Sequence, residues 1–151
     1  MTKTLTVNSQ QIDLEFIDQA NCWRTNVQID NEEIEIEIDF QFHKGETVDW
    51  DHFTSFFRFI NESNRLKSYV RATSELVLSL AQTIFQNMEE TKEWEVAFSN
   101  TIYYNGKTGN NYSFSLVFDY GHPSKGLGDD YGIYLVEYSS NILTGVKRHQ
   151  C

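Results

Sequence analysis

The amino-acid sequence predicts an α+β fold in which two central helices separate two groups of strands. Residues 1–42 and the chain from Glu93 onward alternate apolar and polar side chains, which is the two-residue period of a β-strand. Between them, apolar side chains recur every three or four positions, as on one face of a helix. Because turn-forming residues join successive strands, we expect a mostly antiparallel, twisted sheet of about eight strands, with both helices packed on one face.

The first 42 residues predict a meander of four strands with one apolar and one polar face. A short strand, TLTV, precedes QIDLEFI, in which Asp13 and Glu15 alternate with apolar residues. CWRTNVQI follows, and the pair Asp30-Asn31 is typical of a tight hairpin turn. The fourth strand is EEIEIEIDFQF at 32–42, whose apolar positions are Ile34, Ile36, Ile38, Phe40 and Phe42. The intervening polar positions are Glu33, Glu35, Glu37, Asp39 and Gln41.

Two amphipathic helices are predicted after Gly45, which ends the fourth strand. Thr47 is the expected N-cap of the first helix, and Asn64 is expected to cap the second. The second helix should run for about six turns, from Leu66 to Met88. Both helices need an apolar surface to cover, and the apolar face of the fourth strand provides one. The stripes expected to pack there consist of Trp50, Phe53, Phe57, Val70, Val77, Leu80 and Ile84.

The last third of the chain returns to strands. WEVAFSNTIYYN and YSFSLVFDY flank the turn-rich NGKTGN and should form a hairpin. A glycine-rich loop, GHPSKGLGDD, then leads to YGIYLVEY, and a tight SSN turn precedes a final strand near ILTGVKR. No linker or internal repeat interrupts this order, so residues 1–151 are expected to form one domain.

Composition and charge restrict the classes of function. The longest apolar run falls well short of the roughly 20 residues that span a bilayer, so no membrane segment is predicted. The first residues, MTKTLTVNSQQIDLEF, lack the features of a signal peptide, so a cytoplasmic location is expected. The net charge is −10, and residues 1–64 hold 13 acids against 4 bases. An acidic chain without a basic stripe is not expected to bind nucleic acid or an anionic membrane.

No catalytic or metal-binding pattern is present. The four histidines are scattered, without the spacing of a zinc or iron site, and no GxSxG motif occurs. Lys125 lies in mid-loop and the loop leads into a strand, which is not the geometry of a phosphate-binding loop. The sequence therefore predicts no catalytic residue, no metal ion and no cofactor. Long loops often carry contacts, so four residues of this loop remain contact candidates: His122, Lys125, Asp129 and Asp130.

The run of carboxylates on the fourth strand has two interpretations. Alternate residues of a strand are ~6.7 Å apart, and neighbouring carboxylates repel by only roughly 0.6 kcal/mol in water, so the run could be a solvated face. A face that carries almost only negative charge is nevertheless more unbalanced than solubility requires. Such a face would steer a basic protein toward it. The residues that would form such a partner-binding face are Asp13, Glu15, Asp30, Glu33, Glu35, Glu37 and Asp39.

Three segments together resemble a known type of protein: VQIDNEEIEIEIDFQF, then VDWDHFTSFFRFIN, then DDYGIYLVEYSSNILTGV. Their order is similar to that of small bacterial cytosolic proteins of unknown function built as strands, two helices and strands. Some acidic domains of this kind are encoded beside polymorphic toxins and are regarded as immunity proteins. The resemblance covers most of the chain in outline, and it implies no particular functional residues.

Three functions therefore compete. The first is a protein-binding domain, most concretely an immunity-type inhibitor that covers a basic toxin with its acidic sheet face. The second is a small-ligand-binding protein or enzyme with a pocket between the aromatic late strands and the helices. The third is a structural or regulatory domain within an oligomer. The concentration of acid and the absence of catalytic motifs favour the first, while the oligomeric state is left open.

Overall fold

A computed structural model of the protein describes residues 1–39, 48–88, 93–122 and 132–149. It confirms the α+β class, with eight strands in one mostly antiparallel sheet and two helices between the fourth and fifth strands. The strands are β1 (Thr2–Val7), β2 (Gln10–Ile17), β3 (Cys22–Ile29), β4 (Glu32–Asp39), β5 (Glu95–Thr108), β6 (Asn111–Gly121), β7 (Ile133–Ser139) and β8 (Ile142–His149). The helices are α1 (Trp50–Ile60) and α2 (Arg65–Ile84).

The eight strands lie side by side in the order of the chain. Among the described strands, neighbours pair antiparallel except β4 and β5, which pair in parallel from Glu35 opposite Thr101 to Ile38 opposite Tyr104. A tight turn reverses the chain, whereas a parallel neighbour requires a longer crossover. The two helices form that crossover, and this places them over a single face of the sheet.

The turn chemistry explains the N-terminal hairpins. Asp30 and Asn31 both have positive φ, at 53° and 65°, and they connect Ile29 to its partner Glu32. Such a two-residue turn twists in the same sense as the strands it joins, and aspartate and asparagine tolerate its left-handed backbone. The predicted hairpin at Asp30-Asn31 is therefore confirmed.

The apolar parity of β4 faces the helices, as predicted. Ile34, Ile36 and Ile38 are at most 1% exposed. Helix α1 buries four large side chains against the sheet, and the strands opposite contribute aromatic rings in tilted and stacked contacts. The four α1 residues are Phe53, Phe56, Phe57 and Ile60. Phe40 and Phe42, predicted on the same parity, lie outside the described residues.

The helix ends differ from the predictions. Asp49 is the N-cap of α1, because its carboxylate accepts a hydrogen bond from the backbone N–H of His52 at 3.0 Å. The prediction of Thr47 as the cap was wrong, and Thr47 itself lies outside the described residues. Asn64 does precede α2, but its backbone is left-handed and its side chain makes no capping bond. Helix α2 ends at Ile84 rather than Met88.

The apolar stripe of α2 is narrower than predicted. Its deeply buried side chains include Thr73, Val77 and Ala81, which are four residues apart and form one row along the helix. Leu80 and Ile84 were predicted to pack on the sheet, but they belong to the adjoining row and are 38% and 47% exposed. That prediction was wrong for these two residues.

A matched pair of leucines on α2 tests this packing. Leu66→Ala should lower the free energy of unfolding by about 2–5 kcal/mol, because Leu66 is buried and its removal leaves a cavity. Leu80→Ala should change it by less than about 1 kcal/mol, since much of that side chain already contacts water. Urea unfolding of both variants measures the difference. Equal losses would contradict the placement of α2.

Candidate functional site: the acidic outer face

The outer face is the side of the sheet opposite the helices, and the polar residues of β2, β3 and β4 lie on it. The strand register brings these residues together. Arg24 on β3 lies between Glu15 on β2 and Glu37 on β4. Farther along β3 and β4, Asn26 faces Glu35 and Gln28 faces Glu33. We call the five carboxylates that share this side the acidic face: Asp13, Glu15, Glu33, Glu35 and Glu37.

Arg24 is the counter-charge at the centre of the acidic face. Its Nε lies 3.6 Å from Oε1 of Glu35, and its Nη2 donates a hydrogen bond to Oε2 of Glu37 at 3.3 Å. Burial disfavours the charged guanidinium, but Glu35 and Glu37 outweigh that effect and raise the pKa of Arg24. One cation thus holds two neighbouring carboxylates of β4, whereas within the described residues Arg24 forms no ion pair with Glu15 or Glu33.

Asp13 is held by neutral donors rather than by a cation. The hydroxyl of Thr4 donates to its Oδ1 at 2.9 Å, and the amide of Gln11 donates to its two oxygens at 3.0 and 3.1 Å. These bonds fix the position of the carboxylate without cancelling its charge. Asp13 lies opposite Thr4 of β1 in register, and its backbone carbonyl accepts a hydrogen bond from the hydroxyl of Thr25 on β3 at 2.7 Å.

Tyr103 extends the outer face beyond the carboxylates. It lies on β5 opposite Glu37, because β4 and β5 are parallel neighbours. Burial and then the negative charges of Glu37 and Glu35 raise the pKa of its hydroxyl, so the phenol keeps its proton. Sequence reasoning missed this residue, because alternation in WEVAFSNTIYYN shows a strand but not which strand lies beside it.

The remaining predicted contact residues lie elsewhere. Asp30 is on the helix side, where its Oδ1 accepts a hydrogen bond from the backbone N–H of Asn64 at 3.2 Å. It therefore does not share the outer face with the other acids. Asp39 ends β4, opposite Cys22 in register. His122 follows β6 and is partly buried. Lys125, Asp129 and Asp130 lie outside the described residues.

A separate titratable cluster surrounds His52 at the start of α1. Its Nδ1 shares a hydrogen bond with the hydroxyl of Tyr104, and its ring lies 5.1 Å from the ring of Tyr112. Its Nε2 is buried and has no hydrogen-bond partner among the described residues. Burial lowers the pKa of His52, despite the opposing charge of Asp49. The geometry favours a neutral imidazole within a packed aromatic cluster.

The described residues supply no metal centre, since within these ranges no three His, Cys, Asp or Glu side chains converge. Within the same ranges, no helix has the length and apolar character needed to cross a membrane.

Comparison of the chain with protein-family models, with curated proteins and with solved structures gave no match. The outer face is therefore interpreted from its own chemistry.

Removing the central cation tests the electrostatics of the acidic face. Arg24→Gln should lower the free energy of unfolding by about 0.5–1 kcal/mol at low ionic strength, because the carboxylates then repel without a counter-charge. High salt should reduce the loss by screening that repulsion. Glu33→Gln is the control and should stay within about 0.5 kcal/mol of wild type. A loss for Arg24→Gln that is the same at every salt concentration would assign it to packing instead.

Protonation of His52 predicts a pH dependence of stability. The folded pKa lies below the ordinary 6.5, so between the two values the unfolded chain binds more protons. Stability should consequently fall as the pH drops from about 7 to 5, and His52→Gln should flatten this part of the curve. Chemical unfolding at a series of pH values measures it, with the exposed His149→Gln as control. Parallel curves for wild type and His52→Gln would contradict the placement of this ring.

Proposed function

We propose that this protein is a non-catalytic protein-binding domain that uses its acidic face to bind a basic partner protein. The observation that carries the proposal is that five carboxylates of β2 and β4 lie on the same face of the sheet, on either side of β3 and the single guanidinium of Arg24. On one broad sheet surface, a field of one sign suits a macromolecular partner with lysine and arginine side chains.

The acidic face contains exposed carboxylates and carboxylates that are paired with Arg24. Glu15 and Glu33 are exposed, so they are available to attract and contact an approaching cation. Glu35 and Glu37 are fixed by Arg24, which reduces the side-chain freedom that binding would otherwise remove. Tyr103 borders these acids with a protonated phenol, and tyrosine is among the residues that contribute most at protein interfaces.

The narrower form of the proposal is an immunity-type inhibitor that acts in the cytoplasm. Its support is the resemblance in element order to acidic domains encoded beside toxins, together with the net charge of −10. An inhibitor of this kind needs no catalytic residue, because covering the surface of a basic toxin is sufficient for inhibition.

The aromatic region offers less support for a ligand pocket between the late strands and the helices. Phe56 lies 4.9 Å from Tyr104 and 5.3 Å from Phe114, measured between ring centroids. Phe114 in turn stacks on Tyr138 at 5.5 Å. These contacts show that side chains fill the space between these particular rings, so the rings belong to the packed core, and the acidic face is the better supported site for a protein partner.

Neutralising the ladder tests the proposed function. Glu33, Glu35 and Glu37 are changed together to Gln, and basic proteins captured from native cytosol at low salt are identified. Association with the captured partner should slow by at least tenfold at low ionic strength and by less at high salt, because steering is electrostatic. The association rate constant, measured by surface plasmon resonance over a salt series, is the readout.

A second variant controls for net charge alone. Asp51→Asn, Glu62→Gln and Glu75→Gln also remove three negative charges, but these residues lie on or beside the helices. This variant should bind with nearly the wild-type rate constant. Circular dichroism should show both variants folded, including the ladder variant in which Arg24 loses its two ionised partners. Equal slowing of the two variants, or of neither, would refute a specific role for the acidic face.

A further inference from the structure

A cleft opens where the central strands separate, on the helix side of the sheet. Parallel pairing of β4 and β5 starts only at Glu35 opposite Thr101. The preceding part of β5 is irregular, with a register shift between Phe98 and Ile102 and a positive φ of 53° at Asn100. The two strands therefore diverge, and α2 covers part of the gap. The result is a cavity of about 380 Å³.

The cleft is lined by apolar residues together with polar and charged ones. Ile29, Ile34, Leu66, Val70 and Phe98 supply the apolar part of the lining. A volume of this size falls within the roughly 300–1,000 Å³ of small-molecule sites, which are apolar with a few placed polar groups. The cleft thus has the dimensions and the composition of a ligand site.

Two acidic residues line part of the cleft. Asp30 lies in the turn between β3 and β4, and Glu32 is the first residue of β4. While Oδ1 of Asp30 binds the backbone N–H of Asn64, its Oδ2 is buried without a hydrogen-bond partner among the described residues. The carboxylate of Asp30 is thus fixed in place, and its negative charge, together with that of Glu32, attracts a cationic group of a ligand.

The part of the lining that α2 supplies includes two basic residues. Lys67 and Arg71 also line the cavity, and they lie one turn apart on the exposed side of α2. A simple amine would meet these two cations, and a simple carboxylate would meet the two acids. A molecule with both an ammonium and a carboxylate could place each group near the residues of opposite charge. Its apolar groups would then contact the apolar part of the lining.

We propose that this cleft binds a small zwitterion with apolar side chains, of the class of an apolar dipeptide. Its ammonium group lies near Asp30 and Glu32, while its carboxylate lies near Lys67 and Arg71. The apolar side chains contact Ile34, Leu66 and Phe98. The cleft and the acidic outer face lie on opposite sides of the sheet, so this site is independent of the proposed protein partner.

Titration of the full chain with L-leucyl-L-leucine tests the site. Saturable shifts in ¹H–¹⁵N NMR spectra should appear at residues that line the cleft and not on the outer face. Acetylation of the ammonium group or amidation of the carboxylate should each weaken binding by about tenfold, since each removes a charged hydrogen-bonding group. Glycylglycine, which has both charges but no apolar side chain, should bind at least tenfold more weakly.

Two variants locate the binding groups. Asp30→Asn keeps an oxygen for Asn64 and tolerates the left-handed backbone, but it should weaken dipeptide binding by about tenfold. The double change Lys67→Gln and Arg71→Gln alters only exposed side chains of α2, and it should remove the preference for a free carboxylate. Arg58→Gln, on the exposed side of α1, is the control and should bind as wild type does.

Four results would overturn the proposal. They are the absence of saturable shifts with leucyl-leucine, an affinity for the acetylated or the amidated analogue equal to that for leucyl-leucine, an affinity for glycylglycine equal to that for leucyl-leucine, and an undiminished preference for a free carboxylate in the double variant of α2. If Asp30→Asn does not fold, the double variant and the analogue series decide the question without it. Loss of the basic protein partner in the acidic-face experiment would leave all of these results unaffected.

Discussion

The parallel pairing of β4 with β5 is the constraint on which the rest of this structure depends. Hairpin turns can extend an antiparallel sheet indefinitely, but a parallel neighbour needs a connection that crosses the sheet. Here α1 and α2 form that connection and lie on one face. Their apolar side chains pack on Ile34, Ile36 and Ile38 of β4 and make that side of the strand part of the core. The carboxylates at the alternate positions of β4 consequently point to the other side of the sheet.

The same crossover separates two kinds of chemistry. On the outer face, neighbouring strands gather carboxylates around Arg24, and the parallel partner strand places Tyr103 beside them. On the inner side, the late start of the parallel pairing leaves a cleft beside α2, lined by the acids Asp30 and Glu32 and by the bases Lys67 and Arg71. A broad charged surface suits a protein, whereas a partly enclosed apolar cleft suits a small molecule. Both features follow from the pairing of β5 with β4 and from the residue at which that pairing begins.

Local sequence determined the elements because each depends on neighbours along the chain. Alternation in EEIEIEID specifies a strand with one apolar and one acidic face, since successive side chains of a strand point to opposite sides. Asp30-Asn31 specifies a tight hairpin, because both residues accept a left-handed backbone. The apolar spacing from Phe53 to Ile60 specifies a helix, and these predictions together were sufficient for the fold class. The boundaries were less accurate, because Asp49 and Thr47 are both good capping residues and only the folded backbone selects one.

Only the tertiary structure decided which residues meet. Parity alone grouped Asp30 with the acids of β2 and β4, yet its position in a turn directs it to the N–H of Asn64. Leu80 and Ile84 have the spacing of a buried stripe, but the orientation of α2 on the sheet buries the row of Val77 instead. Arg24, Glu35, Glu37 and Tyr103 come from three strands, and no local pattern encodes strand order. The run of acids could be predicted from the sequence. The pairing of these acids with Arg24, the position of Tyr103 beside them and the cleft could not, because they arise from contacts between residues distant in the chain.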